Sequence, residues 1–509
     1  MPIAQTEYLF KLIKSLGKAE KRHFKLYVNR LDSNKNVMFI KLFDLIDKSK
    51  KMDEAAIESH FPKLKRNDFS NLKRNLYTQI LKSLRMIHSR HDSDMQVREQ
   101  LDYAKVLYGK GLHMHSLKLL DRIVPLATKG NQDILLLEVL EFEKMIESRH
   151  ITRSRGVKNK LEDLITSSSR FQTTIGRTSA LSNLSLRMQG MYIKMGFVKN
   201  QKEEFLIQSF FNSNLPKVIS KNPGFYEEVL LHQSHVWYYY MLLDHDNALA
   251  HSLTWVDVFD QNEVMLEKDP DLYLRGIHYI LTHNFYLREK DDFDGWLKRY
   301  QIFSERNQSW FNDTSRVLNF IYGYNSELNS ILLHQRYERG VDLEKSLFQD
   351  LKKFSLKLDS HRVKMFHYKF AWIAIANGKF EKAIDHLNYI IQPKKGRLRD
   401  DLLNYAKLLH LICNYQLGNY SLVRNLTPSI KRQFELSGDL TGGITSVLSY
   451  LNKDPKNSSS TQAIEKLNVK IHKSFNHRYD KRMFNYFNFI DWSKSLKENC
   501  LMRELYSLR

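Results

Sequence analysis

The chain has 509 residues, of which 42% are hydrophobic and 27% are charged, proportions that are typical of folded globular proteins and exclude general disorder. Two cysteines exclude a disulfide framework and a cysteine-built zinc site. No apolar run approaches the roughly 18 residues that cross a bilayer. The first residues also lack the apolar stretch of a secretion signal, so we expect a cytoplasmic protein without a membrane span.

The net charge of +22 is concentrated at the two ends of the chain. Residues 1–100 hold 21 Lys and Arg against 12 Asp and Glu, residues 452–509 hold 12 against 6, and the 351 residues between them hold 46 against 39. Such an excess is typical of proteins that contact nucleic acid, an anionic membrane or an acidic protein, and it also serves solubility alone. The charge alone therefore leaves these explanations open.

Residues 1–92 are expected to form a basic N-terminal helical domain. After a polar connection over residues 63–68, a long helix should place one apolar arc toward a core, because its large apolar residues recur every three or four positions. These residues are Phe69, Leu72, Leu76, Ile80, Leu84 and Ile87. The opposite side is basic. It provides a candidate face for an anionic partner, formed by Lys65, Arg66, Lys73, Arg74, Lys82 and Arg85.

From residue 95 onward the sequence alternates between helices and turns that contain small residues. The clearest example predicts that Gly378 ends one helix in the left-handed conformation, that Phe380 packs between two helices, and that Ala383 lets them approach closely. Gly418 and Tyr420 repeat the arrangement 40 residues later. Weaker copies occur over residues 109–117 and 242–249. The scarcity of glycine and proline, 19 and nine in the whole chain, also favours long helices with short connections.

These turns resemble those of the tetratricopeptide-repeat family, in which a glycine and an aromatic residue are followed three positions later by a small residue. The resemblance is clearest over residues 360–430. It implies an all-α fold, an irregular α-solenoid of helical hairpins, whose concave face binds peptide or protein segments. Two features depart from the family. The glycine spacing is 40 rather than about 34 residues, and most pairs lack the turn glycine.

The resulting organisation has four predicted segments. The basic domain of residues 1–92 precedes a helical-repeat region over residues 95–451, a polar linker over 452–462, and a C-terminal helical cap over 463–509. The cap is rich in basic and aromatic residues around Lys481–Trp492. We expect the cap to cover the exposed end of the repeats, although aromatic residues beside cations also stack on nucleic-acid bases.

No motif for catalysis or for cofactor or metal binding stands out. Residues 290–295 imitate the interior of a calcium loop, but Lys290 occupies the position of the first acidic ligand, so a turn is expected there instead. Close histidine pairs have no third ligand at an informative spacing. Neither a phosphate-binding loop nor a dinucleotide fingerprint is present. The sequence therefore predicts a protein that is not an enzyme and has no cofactor.

Two functional hypotheses remain. The first is a protein–protein interaction scaffold that uses a groove between helical repeats, which requires only the helical architecture. The second is a nucleic-acid-associated regulator, in which the basic N-terminal domain binds DNA or RNA while the repeats sense a protein partner. The identity of the partner and the oligomeric state cannot be derived from the sequence.

Overall fold

The structure, a computed structural model, describes residues 5–30, 35–51, 53–89, 92–150, 156–217, 222–354, 358, 360–392, 400–453 and 461–505. Every regular element within these ranges is a helix, so the predicted all-α class is confirmed. Helices are favoured in this chain because it contains few glycine and proline residues, which interrupt helices and mark turns. Among the described residues, no helix is both long enough and apolar enough to cross a bilayer.

Contacts divide the chain into two compact units, residues 1–172 and residues 173–509. The division falls within α9 (Lys160–Met195). The four segments expected from the sequence stay predictions, and residues 454–460 of the expected linker lie outside the described residues. The helices before α9 are α1 (Gln5–Ser15), α2 (Lys18–Asn29), α3 (Lys35–Lys48), α4 (Glu54–Glu58), α5 (Arg66–His88), α6 (Ser93–Gly109), α7 (His113–Lys129) and α8 (Asp133–His150).

The first unit contains two apolar clusters. In one cluster α1, α2, α3 and α5 pack together, and in the other α6, α7 and α8 do so. The predicted arc of α5 faces the first cluster, since its four leading apolar residues are buried while Leu84 and Ile87 are half-buried. The four buried residues are Phe69, Leu72, Leu76 and Ile80. Helical periodicity thus sets the orientation of this helix.

The second unit is built from helices that pair with the next helix along the chain. Its helices after α9 are α10 (Gln201–Asn214), α11 (Phe225–Met241), α12 (His245–Asp260), α13 (Glu263–Lys268), α14 (Pro270–Leu287), α15 (Lys290–Arg306), α16 (Asp313–His334), α17 (Gly340–Phe354), α18 (Ser360–Ala376), α19 (Phe380–Ile391), α20 (Asp400–Gln416), α21 (Tyr420–Leu436), α22 (Gly442–Leu451), α23 (Thr461–Asn476) and α24 (Phe489–Glu498). Short 3-10 helices lie at Gln308–Trp310, Tyr337–Arg339, Asp480–Asn485 and Met502–Glu504.

Five of these pairs are antiparallel hairpins, because connections of two to five residues force the second helix back along the first. The hairpins are α11–α12, α14–α15, α16–α17, α18–α19 and α20–α21. Each hairpin also contacts the one that follows, for example through α12 and α14 and through α19 and α20. One continuous apolar core therefore runs through the second unit.

The predicted turn residues lie at two of the hairpin turns of the second unit. Gly378 and Gly418 have φ of +72° and +80°, in the left-handed region that favours glycine. A Cβ atom on Gly378 would lie only 2.7 Å from Leu501. Ala383 is fully buried, whereas Phe380 is half-buried against the core and the Tyr420 ring is half-buried near the Tyr415 ring, 5.2 Å away between centroids.

Three other hairpins turn without glycine. Leu243, Arg288 and Gln335 occupy the left-handed region, with φ of +59°, +68° and +59°. A residue with a Cβ atom in this region costs about 1–2 kcal/mol. These three turns are therefore left-handed although no glycine occupies them, which explains why the sequence signal is faint between residues 240 and 340.

The prediction of a turn at residues 290–295 is wrong. These residues form the first two turns of α15, and Asp291 and Asp292 lie in its first turn. Carboxylates are favourable there because the helix macrodipole places partial positive charge at the N-terminus. Phe293 is fully buried and anchors the helix to the core. The acidic residues therefore support the start of a helix rather than a loop.

Candidate functional site

A cavity of about 370 Å³ lies inside the second unit. Its walls come from α9, α11, α14, α16, α18 and α20, together with Asn485 and Tyr486 from the C-terminal segment. On α14 and on α18 the lining residues, some of them adjacent pairs, recur every three or four positions. Each of these helices therefore presents one face to the cavity. On α18 this face comprises His361, Arg362, Met365, Phe366, Tyr368, Lys369 and Trp372. We refer to this cavity as the chamber.

The chamber is basic. Arg275 on α14 and Arg362 and Lys369 on α18 line it, and no Asp or Glu is among the described residues of its lining. Arg275 interacts with the Tyr322 hydroxyl and lies near Asp269, which is outside the lining. Arg362 also has an interaction partner within the protein. An anion that enters would therefore meet two arginines and a lysine, and no carboxylate among the described residues of the wall.

Lys369 is held by two amide side chains. Its Nζ donates hydrogen bonds to the Oδ1 atoms of Asn325 and Asn329, the second at 2.5 Å, and a longer one of 3.4 Å to the carbonyl oxygen of Asn325. Burial lowers the pKa of Lys369 to about 7, because the protein interior solvates the ammonium poorly. No carboxylate contributes to this pKa. The neutral amides orient the ammonium but do not neutralise its charge.

His278 lies close to all three cations of the chamber. Its pKa is lowered to about 3, first by burial and then by the charges of Lys369, Arg362 and Arg275. The imidazole stacks on Tyr322, with 4.4 Å between ring centroids and 14° between planes. His278 is therefore neutral near pH 7, and the three cations are close enough to act on one point.

Several polar atoms in the chamber wall are buried without a hydrogen-bond partner in the described part of the protein. They are the Tyr368 hydroxyl, Trp372 Nε1, Asn485 Nδ2 and His278 Nδ1. Tyr368 and Trp372 are only 3% and 4% exposed. Buried donors without partners cost about 1–3 kcal/mol each. A bound ligand with acceptor atoms would remove that cost.

Aromatic residues form a large part of the remaining wall. Twelve of the 27 lining residues are Phe, Tyr or Trp, so flat apolar surface lies beside the cations. Trp237 contacts the rings of Tyr192, Tyr240 and Tyr279, with centroids 5.4 to 6.2 Å apart. Rings of this kind bury large area and hold one geometry. The chamber therefore has a rigid aromatic wall next to a basic one.

At one side of the chamber, parts of the second unit that are far apart in sequence are in contact. The turn after α9 contacts residues that are more than 200 positions later in the chain. Lys199 Nζ donates to the carbonyl oxygen of Ser437 at 2.6 Å and forms an ion pair with Asp439 at 3.5 Å. A Cβ atom on Gly196 would lie 3.1 Å from Asp401 Oδ2. Early and late helices of the unit thus meet directly.

The C-terminal segment adds to these contacts. Arg478 donates to the carbonyl oxygen of Leu242 at 2.7 Å, and Tyr479 donates to Glu204 at 2.8 Å. Further along, Tyr486 donates to the Asp401 carboxylate. The segment therefore contacts α10, the turn after α11 and the start of α20, in addition to the last helices. The role of a cap over the final repeat stays a prediction.

The basic face predicted on α5 is in the first unit. Its exposed members are Lys65, Arg66, Arg74, Lys82 and Arg85. Lys73 is different, because it is 7% exposed and its Nζ contacts the Glu54 carboxylate. Arg85 lies 3.4 Å from Asp102 in an exposed ion pair. Five of the six predicted cations therefore lie at the surface, and Lys73 packs inside.

Sequence reasoning did not identify the chamber. Arg275, Arg362 and Lys369 stand on helices whose other residues are largely buried and apolar. A cation on such a helix is the signal that could have pointed to a site, since unpaired charges are rarely placed in a core. Which of these cations face one another depends on packing between helices far apart in sequence.

Comparisons of the chain with protein-family models, with curated proteins and with solved structures find no match.

Proposed function

We propose that the chain is a cytoplasmic, non-enzymatic protein–protein interaction scaffold. In this proposal the helical pairs form an irregular tetratricopeptide-like α-solenoid, and the chamber receives an acidic segment of a protein partner. One observation carries the proposal. The first helices of the five consecutive hairpins, α11, α14, α16, α18 and α20, all contribute side chains to one basic, aromatic cavity. Stacked helical pairs bind partners on surfaces of this kind.

The chemistry of the lining supports the binding of an acidic segment. Arginine and lysine pair with carboxylates, and amide side chains such as Asn325, Asn329 and Gln233 both donate to and accept from a peptide backbone. The described residues of the lining include no serine, cysteine or carboxylate, the usual nucleophiles and bases of hydrolytic sites. His278 is neutral near pH 7 but lies among cations rather than beside a nucleophile.

Matched peptides test the proposal. An array of acidic peptides, each paired with a version in which Glu is replaced by Gln, is probed with the full chain and with the double variant R275Q/K369Q. We expect the acidic versions to bind at least about tenfold more tightly, and the double variant to lose this preference. The control variant K82Q, outside the chamber, should keep it. Equal binding of both versions, or binding unaffected by R275Q/K369Q, would contradict the proposal.

The alternative is a nucleic-acid-associated regulator with a partner-sensing solenoid. Five exposed cations on or beside α5 favour it, because phosphate contacts come mainly from exposed Lys and Arg. Two observations count against it. Lys73 is buried and forms an ion pair with Glu54, and Arg85 forms an ion pair with Asp102. The interaction scaffold is therefore the function that we adopt.

A further inference from the structure

The chamber joins two kinds of surface within a short distance on α18. Lys369 and Trp372 are three residues apart on the same face, which separates them by about 4.5 Å along the helix axis. Arg275 and His278 are placed in the same way on α14, which packs against α16 next to α18. An anionic group held by the cations would therefore have an aromatic wall immediately beside it.

We infer that the chamber binds a flat ring that carries an anionic group, either a phosphate or a carboxylate. The inference rests on the proposed function, because it uses the same chamber, and it specifies the chemistry of the occupant. Two sources provide this chemistry. One is an aromatic residue flanked by acidic residues in a partner segment, and the other is a small molecule of the nucleotide class.

The anionic part follows from the charges. Lys369 contacts two neutral amides, and no carboxylate lines the cavity in the described residues. A cation in a poorly solvated site is stabilised strongly by an anion that shares the site. A cationic ligand would be repelled by the same three charges. A purely apolar ligand would leave the charge of the ammonium uncompensated and the buried donors of Tyr368, Trp372 and Asn485 without partners.

The ring follows from the shape and the donors. A cavity of about 370 Å³ is near the lower end of the range for small-molecule sites, so it accommodates one ring with a charged group rather than a folded element. Trp372 Nε1 and Asn485 Nδ2 have no partner in the described protein and both carry donor hydrogens. Ring nitrogen or carbonyl acceptors of a heterocycle, or backbone carbonyls of a segment, would satisfy them.

Calorimetric titration of the full chain with four probes tests the inference. A nucleoside monophosphate supplies ring and anion, its nucleoside supplies the ring alone, and inorganic phosphate supplies the anion alone. The fourth probe is a peptide with Tyr between Glu residues, together with a Glu-to-Gln version. We expect the monophosphate or the acidic peptide to bind at least about tenfold more tightly than the nucleoside, inorganic phosphate and the Gln peptide. Whichever of the two binds identifies the source.

Variants connect that binding to the chamber. The change Lys369→Met keeps a long side chain but removes the charge, and it should weaken binding of the favoured probe at least about tenfold. Arg362→Gln provides a second test at a half-buried position in case the first variant unfolds. Lys82→Met is the matched control on α5 and should have no effect. Circular dichroism melting curves verify that each variant is folded.

The outcomes separate the inference from the proposed function. Equal affinity for inorganic phosphate and the monophosphate, with no preference for the Tyr–Glu peptide over other acidic peptides, would overturn the ring requirement. Absence of binding by every probe would overturn the inference, while acidic peptides of other composition could still bind through Arg275 and Lys369. If those peptides also bind identically to R275Q/K369Q, both the inference and the proposed function fail.

Discussion

The rings of Tyr486 and Tyr405 lie parallel, 6° apart in plane and 3.9 Å apart between centroids. Tyr486 also donates a hydrogen bond to the Asp401 carboxylate. This stack joins the C-terminal segment to α20 at the wall of the chamber, although 81 residues separate the two tyrosines. The stack thereby holds Tyr486 in its place in the chamber lining.

Replacing Tyr486 by Ala should lower the free energy of unfolding by about 3 kcal/mol, since loss of a buried ring of this size leaves a cavity and removes one hydrogen bond from Asp401. Chemical denaturation monitored by circular dichroism measures the change. Phe205→Ala is the control, because Phe205 is 69% exposed and its loss should cost less than about 0.5 kcal/mol. Equal effects of the two substitutions would show that the stack does not stabilise the fold.

Ala383→Arg should destabilise the second unit by several kcal/mol. Ala383 is fully buried, so a long charged side chain there must displace neighbours and lose its hydration. Asp385→Arg, two positions later on an exposed site, is the matched control. Thermal melting of both variants distinguishes them, and an unchanged midpoint for Ala383→Arg would rule out the close helix contact.

Lys369 should make stability depend on pH above neutrality. Its pKa in the folded chain is about 7, well below the ordinary value near 10.4. Between these values the unfolded chain binds a proton that the folded chain has released, so the free energy of unfolding should rise with pH. The slope is at most about 1.4 kcal/mol per pH unit.

The matched variant for this pH dependence is Lys369→Met. Denaturation curves at pH 6, 7, 8 and 9 should show that the difference between wild type and variant changes in favour of wild type as pH rises above 7. Below pH 7 the difference should become constant, because Lys369 is then protonated in both states. A difference that does not depend on pH would mean that the ammonium is not buried as described.

Arg288 offers a test of backbone strain at the turn between α14 and α15. Its φ of +68° is left-handed, and glycine is the residue that adopts this region without strain. Arg288→Gly should therefore be more stable than Arg288→Ala by about 1 kcal/mol. Both variants lose the cation over the Phe285 ring, so their difference isolates the turn. Equal unfolding free energies would contradict the strain.

The alternative function makes a prediction for the first unit. If α5 binds nucleic acid, the triple variant R74E/K82E/R85E should abolish binding of the full chain to duplex or single strands without unfolding it, since these residues are exposed. Affinity of the wild type should also fall with salt, with a logarithmic slope near −0.9 for each duplex phosphate neutralised. We expect instead that wild type and variant show equally weak retention at physiological salt.

The helical class and the local turns could be predicted from the sequence, because both depend on neighbouring residues. The apolar arc of α5 and the left-handed turns at Gly378 and Gly418 are local patterns of this kind. The turn predicted at residues 290–295 was wrong, because carboxylates such as Asp291 and Asp292 occur both in calcium loops and at helix N-termini. The chamber could not be predicted from the sequence, because only the packing of α14, α16 and α18 brings Arg275 and Lys369 to the same cavity.

The contact between Lys199 and Asp439 has a consequence for how the second unit folds. In an open array of helical pairs each pair touches only its neighbours, so the ends can fray and unfold separately. Here a turn near the beginning of the unit is bonded to one near its end, so the loop entropy of about 240 intervening residues must be overcome before the contact forms. Folding should therefore be slow and cooperative, and removal of residues from the end should loosen helices at the beginning.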